Sequence, residues 1–427
     1  MSTIHVIGAG LAGLTAATRL AEAGRRVIVY EGAPQAGGRC RSFQDQRLDR
    51  LIDNGSHMVL GGNRAVLGYL RRIGALDRLT PVTPVAFPFI DLRTGEQWTV
   101  RPGRLVPGVR LAEHGDALKL LLAGERDSIT DRLNPADRLF ERLWRPLAVS
   151  GLNTTPERGS ARLLRAILTR TFLRGTAACR PLMVRDGLSA AFIEPALRFL
   201  LRHGGDVRLS ARVGILEMAD GVLAAIHVKD ERIALMAGDA VILAVPPWVA
   251  AELVPGLAVP AAGEAIVNAH FRLEGPACLP GGAPFLGLIG GEAEWLFTRG
   301  DVVSVTVSAA DRLAERPSES VARLLWRDTA RALALPEETL PPFRIVKERR
   351  ATFDQTPAQA ARRPGARTRI ERLVLAGDWT ETGLPATLEG AVQSGETAAR
   401  QILRGDPAGR GVVRPFSGFP LPRVRHI

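Results

Sequence analysis

The chain has 427 residues, 46% of them hydrophobic and 23% charged; that balance excludes a disordered chain and supports a core for about two to three domains. Lys+Arg 56 against Asp+Glu 44 leaves a net charge of +12, which invites an anionic partner. Only Lys119, Lys229 and Lys347 are lysines, the arginines are scattered and aromatics are 5%, so the pattern argues against nucleic acid and leaves open a basic face against anionic lipid.

Residues 3–8 read as a buried strand, with no leader-like segment before it. Residues 11–23 read as an Ala- and Leu-rich helix stopped by Gly24, and 26–31 as a second strand. Together they predict a βαβ unit whose connections suit a parallel sheet. From Ala65 to about Leu200 the pattern is mostly helical, broken by Pro and Gly. Residues 206–245 switch to short strands joined by Asp-Gly and Gly-Asp turns, ending at Pro246 and Pro247. Residues 265–310 read as strands, 318–335 as an amphipathic helix, 343–353 as a strand, 372–376 as a buried strand and 387–403 as a helix. No segment reaches the ~18 apolar residues that span a bilayer. Cys40, Cys179 and Cys278 lie far apart, which predicts neither a disulfide framework nor a zinc site and suits a reducing compartment. The expected location is cytoplasmic, or peripheral to the inner face of the cell membrane.

The alternation predicts an α/β protein: a Rossmann-like domain built from discontinuous segments, 1–80, 206–250 and 363–405, with an inserted α+β substrate domain. The insertion comprises 81–205, mainly helical, and 251–362, sheet plus helix. Residues 406–427 form a basic tail rich in Pro and Gly.

Gly8-Ala9-Gly10-Leu11-Ala12-Gly13 is a GxGxxG directly after a strand and opening a helix. Gly8 permits the tight turn, Gly10 lets backbone approach a pyrophosphate, and Gly13 lets helix and strand pack closely. Glu31 ends the second strand where an acid binds a ribose hydroxyl. This context predicts a dinucleotide. Gly37-Gly38-Arg39 then offers bare backbone and a guanidinium near phosphate or flavin. Gly55-Ser56-His57-Met58 is small and polar within an apolar stretch, and His57 has two readings, a core histidine or a catalytic group. Near the end, a strand runs into Gly377-Asp378, then into the loop Leu384-Pro385-Ala386-Thr387, then into a helix of small residues. The start of that helix can aim its positive end at a flavin edge.

The run from Gly8 to Arg39, GxGxxGLxxAxxLxxxGxxVxVxExxxxxGGR, resembles the flavin amine oxidase and phytoene desaturase superfamily. So does Leu-Ala-Gly-Asp with Glu-Gly-Ala-Val-x-Ser-Gly between Leu375 and Gly395. Thr382–Thr387 and Lys347–Pro357 resemble its squalene-associated branch, the hydroxysqualene dehydroxylases of hopanoid biosynthesis. The resemblance implies FAD held by Gly8, Gly10, Leu11, Ala12, Gly13, Glu31, Gly37, Gly38, Arg39, the Gly55–Met58 loop, Gly377, Asp378 and the Leu384–Thr387 loop. Val213 falls where relatives present backbone to adenine.

It further implies reduction of an allylic C30 alcohol, hydroxysqualene, to squalene. The partners expected are a hydrophobic isoprenoid, an external electron donor for FAD and an anionic membrane surface. His57 is the expected acid for the leaving hydroxyl. The segment Arg162–Arg174 either lies on a bilayer or packs inside the inserted domain. A carotenoid desaturase, an amine oxidase and a non-catalytic flavoprotein scaffold are the alternatives. The amine oxidase reading suffers from the near absence of tyrosine.

Overall fold

A computed structural model describes residues 2–405. The tail expected from 406 onward lies outside the described residues. Five strands form a parallel sheet in the spatial order Asp206–Arg208, Arg26–Tyr30, Thr3–Ile7, Ala240–Leu243, Leu373–Leu375. Counted along the chain this is 3-2-1-4-5, the order of a doubly wound dinucleotide fold. Apart from the edge strand Asp206–Arg208, the strands are largely buried on both sides, which is why they read as apolar runs without alternation.

Val6, Val27, Val29, Ile242 and Val374 pack on one side against the helices Leu11–Glu22, Glu194–Arg202 and Leu388–Gly405. Ala12, Thr15 and Ala16 of the first helix meet Gly395 of the last so closely that a Cβ at Gly395 would lie 2.3 Å from the Ala12 carbonyl oxygen. Small residues in both helices are therefore a packing requirement. Ile7, Ile28, Val241 and Leu243 face the other side and pack with Leu216, Leu223 and Ile226 of an antiparallel three-stranded sheet, Val213–Ala219, Val222–Val228 and Glu231–Ala234.

A second sheet has seven strands in the order Phe343–Glu348, Ile266–Arg272, Val302–Val307, Trp295–Arg299, Phe285–Ile289, Phe87–Asp91, Gln97–Val100. All its pairs are antiparallel except Phe285–Ile289 with Phe87–Asp91. Alternation along the strands divides its faces. Val267, Ala269, Phe271, Leu296, Val303 and Val305 pack on the helix Ser318–Leu333 through Leu325 and Trp326. Ile266, Asn268, Trp295, Phe297 and Thr306 point the opposite way, into a cavity.

The mostly helical reading of 65–200 misses four short strands. Phe87–Asp91, Gln97–Val100, Leu79–Pro81 and Pro181–Val184 are strands. Gln97–Val100 forms a local hairpin with Phe87–Asp91, but the other partners are distant in sequence, such as Phe285–Ile289 and Met58–Leu60, so local periodicity gave little warning. Helices still outweigh strands across 81–205. Within that stretch, Phe199 and Leu200 belong to the core under the parallel sheet, so 188–202 packs with the first helix and not with the seven-stranded sheet. The strand expected over 343–353 is Phe343–Glu348.

Candidate functional site

The glycine turn sits where strand order reverses, at the C-terminal ends of Thr3–Ile7 and Ala240–Leu243. Gly8 has a φ of +104°, and a Cβ on it would stand 2.5 Å from the Ala244 carbonyl oxygen. A Cβ on Gly13 would stand 2.0 Å from the Gly8 carbonyl oxygen. Both glycines are thus demanded by the fold. Gly10 differs: a Cβ there would meet nothing within 4 Å. The backbone at Gly10 faces open space at the start of the helix Leu11–Glu22, whose first N–H groups, at Leu11, Ala12 and Gly13, have no acceptor within the helix. A pyrophosphate fits that cradle.

Neighbouring segments close around it. The Gly37 N–H donates to the Ala9 carbonyl (2.8 Å), and a Cβ on Gly38 would lie 3.5 Å from the Gly10 Cα. The Glu31 carboxylate accepts from the Ala9 N–H (2.8 Å) and the Ala33 N–H (2.9 Å). Two such bonds leave acceptor capacity for a ribose hydroxyl. Ser210 and Ala211 donate to the carbonyls of Ala33 and Glu31 (2.9 and 2.7 Å), and Val213 lies two residues further along. This pairing brings the chain just before Val213 against Glu31.

Arg39 joins this half of the site to the other. Its guanidinium donates to both carboxylate oxygens of the buried Asp378 (2.8 Å each) and to the Ala351 carbonyl. Gly377 has a φ of +143° and donates its N–H to Ser394 Oγ (2.8 Å). A Cβ on it would stand 2.4 Å from Trp379 Nε1, which itself donates to the Val245 carbonyl (2.8 Å).

Beyond Arg39 opens a cavity of about 330 Å³. Gly55, Ser56, His57 and Met58 form part of its wall, and Leu384, Pro385, Ala386 and Thr387 form another. Phe87, Phe89, Leu143, Leu147, Ile167, Phe172, Trp295 and Phe297 supply a long apolar lining. Asn54, Asn268, Thr306 and Glu348 supply polar groups. Asn268 donates to the Asn54 carbonyl (3.2 Å) and accepts from Thr306 Oγ1 (2.8 Å). Asn54 reaches Glu348 (3.4 Å). His57 has no hydrogen-bond partner among the described residues. Burial lowers its pKa below the ordinary histidine value, the nearby Asp53 carboxylate opposes that, and the Arg39 charge adds to it.

The structure thus brings expected residues together around Arg39: a glycine turn at the C-terminal ends of central strands, and a cavity lined by Arg39 and the 384–387 loop. Sequence reasoning missed the residues that hold this loop. The buried Arg363 guanidinium donates to the carbonyls of Leu384 (2.7 Å), Asp378 (3.1 Å) and Thr380, and to Thr382 Oγ1 (2.8 Å). Gln355 accepts from the Ala386 N–H (2.8 Å) and donates to the Leu152 carbonyl (2.6 Å). Glu389 accepts from the Ala65 and Val66 N–H groups (3.0 and 2.9 Å), capping the helix Arg64–Arg72. Asn268 had a readable signal, an amide inside the apolar run Ala265–Ala269. Arg363, one arginine in an Arg-rich stretch, had none.

The sequence pattern of the flavin-containing amine oxidoreductases matches residues 11–403. The chain belongs to that family. It is an FAD-dependent oxidoreductase, and the residues around Gly10 fit the cofactor. It is 47% identical over 412 residues to the hydroxysqualene dehydroxylase of Sinorhizobium fredii, covering 94% of this chain and 98% of that protein. The hydroxysqualene dehydroxylase of Rhodopseudomonas palustris is 43% identical over 414 residues, with coverage of 94% and 98%. A phytoene desaturase of Glycine max is only 23% identical, with coverage of 94% and 79%. Among solved structures, the cyclohexylamine oxidase of Brevibacterium oxydans superposes with a TM-score of 0.71 at 15% identity, covering 94% of this chain and 98% of that one. That likeness is one of fold. The chain's two tyrosines are both buried away from the cavity, Tyr69 donating to the Phe192 carbonyl (2.7 Å) and Tyr30 facing His5 (3.0 Å). Among the described residues, no helix is long and apolar enough to cross a membrane.

Proposed function

We propose that the chain reduces hydroxysqualene to squalene, replacing the allylic hydroxyl with hydrogen and releasing water. The observation that carries this reading is the cavity: an aromatic and aliphatic lining that leads to a few polar groups beside the 55–58 and 384–387 loops. A C30 isoprenoid with one hydroxyl matches that division of surface, because it has a single polar feature to orient. The names of the 47% and 43% identical relatives support the same reaction. So does the lack of a tyrosine in the cavity wall, which weakens the amine oxidase alternative.

Reduced FAD, when bound, supplies the hydride equivalent that replaces the hydroxyl. The protein's own work is different. The apolar wall keeps bulk water from an allylic cation once the hydroxyl has left. The Arg39–Asp378 pair and the Arg363-bound loop fix backbone at the cofactor boundary. His57 lines the cavity without a side-chain hydrogen bond among the described residues, which supports a role in hydrogen-bonding the substrate hydroxyl. Because burial lowers its pKa, the ring is neutral at neutral pH. Its protonated, proton-donating form becomes populated only as pH falls.

Incubating the dithionite-reduced holoenzyme anaerobically with hydroxysqualene, and the oxidised holoenzyme with phytoene, tests the assignment by product analysis. Squalene from the first supports it. Phytoene desaturation with no squalene formed overturns it in favour of the desaturase alternative.

A further inference from the structure

Twelve large apolar side chains are conspicuously exposed among the described residues, and five of them fall in two short stretches: Leu105, Leu111, Leu118, Leu122 and Leu173, each 56–77% exposed. The two stretches lie together. Arg165, on the helix Ala161–Arg170, donates to the carbonyls of Leu121 (3.2 Å) and Ala123 (2.8 Å). Arg162, one turn earlier on that helix, pairs with Glu125 (3.4 Å). The contacts run antiparallel, so the chain before Leu121 extends toward the C-terminal end of the helix, where the turn Phe172–Arg174 carries Leu173. The Val106 N–H donates to His114 Nε2 (3.0 Å) and His114 Nδ1 meets the Arg110 carbonyl (3.0 Å), which folds the Leu105 strap back on Leu111.

Charge surrounds the leucines. Residues 101–126 carry Arg101, Arg104, Arg110, Lys119 and Arg126 against Glu113, Asp116 and Glu125. Residues 161–174 carry Arg162, Arg165, Arg170 and Arg174 and no acid. Nine cations less three acids is +6, half of the chain's +12 in 40 of its 427 residues. The same helix forms part of the cavity wall: Ala166, Ile167 and Arg170 line the cavity, and so do Thr171 and Phe172 just beyond it.

We infer that this leucine-bearing, arginine-rich face docks on an anionic phospholipid bilayer at the outer side of the cavity wall. Exposed leucines enter the acyl boundary while arginines meet the headgroups, the arrangement of an interfacial anchor that lies on a membrane and does not span it. The charge complementarity selects the occupant: Arg165 and Arg170 are committed inward and Arg162 also pairs with Glu381, but Arg101, Arg104, Arg110, Arg126 and Arg174 are exposed beside the leucines, which an apolar protein partner would not require. The inference deepens the reading above, because an isoprenoid dissolved in a bilayer would meet the protein at the wall of its own cavity.

Sedimentation of the FAD-loaded protein with vesicles of phosphatidylcholine, with and without phosphatidylglycerol, tests it. Pelleting is expected with the anionic vesicles and is expected to weaken as salt rises. The variant L118S/L122S/L173S should partition at least about tenfold less to the same vesicles, with unchanged thermal unfolding and flavin content, because these side chains are already in water. R104E/R174E should lose binding to anionic vesicles specifically. Wild-type protein that stays in the supernatant at low salt, or a triple leucine variant that pellets like wild type, overturns the inference. Turnover of detergent-dispersed hydroxysqualene by the leucine variant separates the two proposals: retained turnover with lost pelleting supports both, and pelleting without turnover in the wild type sinks only the assigned reaction.

Discussion

Alanine at Gly10 and alanine at Gly13 should fail in opposite ways. Gly10 has a φ of −74° and a ψ of 177°, a conformation open to any residue, and its added Cβ touches no protein atom within 4 Å. Losing a glycine cap at the helix start is unfavourable, while stiffening the unfolded chain is favourable. The two roughly offset, leaving the apoprotein within about 1 kcal/mol of wild type. The methyl group does occupy the space over which a pyrophosphate would lie. Overpacking of that kind costs about 1–3 kcal/mol, or roughly 5- to 150-fold in the Kd for FAD. Gly13→Ala instead drives a Cβ to 2.0 Å from a backbone oxygen, and no flexible side chain is there to yield. It should destabilise the apoprotein itself by at least about 1–3 kcal/mol. Titration of each apoprotein with FAD, followed by flavin fluorescence, and thermal unfolding without FAD read the two effects apart. Wild-type FAD affinity in Gly10→Ala, or wild-type apoprotein stability in Gly13→Ala, would refute the assignment of space around this turn.

Arg363→Met removes the donor from three carbonyls and the Thr382 hydroxyl. It should cost at least about 1–3 kcal/mol and loosen the 384–387 loop, seen as faster flavin loss on dilution; unchanged flavin retention would show that the loop holds itself. His270 is buried with its Nδ1 on Ser304 Oγ (2.8 Å), and burial pushes its pKa down from 6.5 to about 4. The unfolded chain therefore binds a proton that the folded one refuses, so stability falls as pH drops from about 6.5 to about 4, by roughly 3 kcal/mol for this group. Urea unfolding of wild type and His270→Asn at pH 7 and near pH 4 should show that the variant loses less by about this amount; equal losses would contradict it. For His57, turnover should rise as pH falls below the ordinary histidine value, and His57→Gln should flatten that rise and lower kcat by roughly a hundredfold or more. Full turnover in His57→Gln with FAD bound would end the acid role.

The cofactor half of the site was legible because its constraints are local. Gly8, Gly10 and Gly13 lie within one turn, and Glu31 follows at the end of the adjacent strand. The C-terminal Gly377–Asp378 and the small-residue helix were legible as a local strand-loop-helix pattern, although the contact that demands Gly395, with Ala12 and Thr15, is long-range. The substrate half was not. Its strand Phe87–Asp91 pairs with residues nearly two hundred positions away, and Pro88 inside it argued against a strand. The loop supports Arg363 and Gln355 act through hydrogen bonds to backbone, and such bonds leave no sequence pattern. The scattered arginines show no pattern along the chain, because the 101–126 strap meets the helix Ala161–Arg170 only in the fold.

The proposed reaction passes electrons from reduced FAD to an allylic alcohol in this cavity. An anaerobic single-turnover experiment reads it directly: reduced holoenzyme is mixed with hydroxysqualene while the flavin absorbance is recorded. Reoxidation of the flavin is expected, with one squalene formed per flavin reoxidised. A flavin that stays reduced in the presence of excess hydroxysqualene, with no squalene produced, would contradict it.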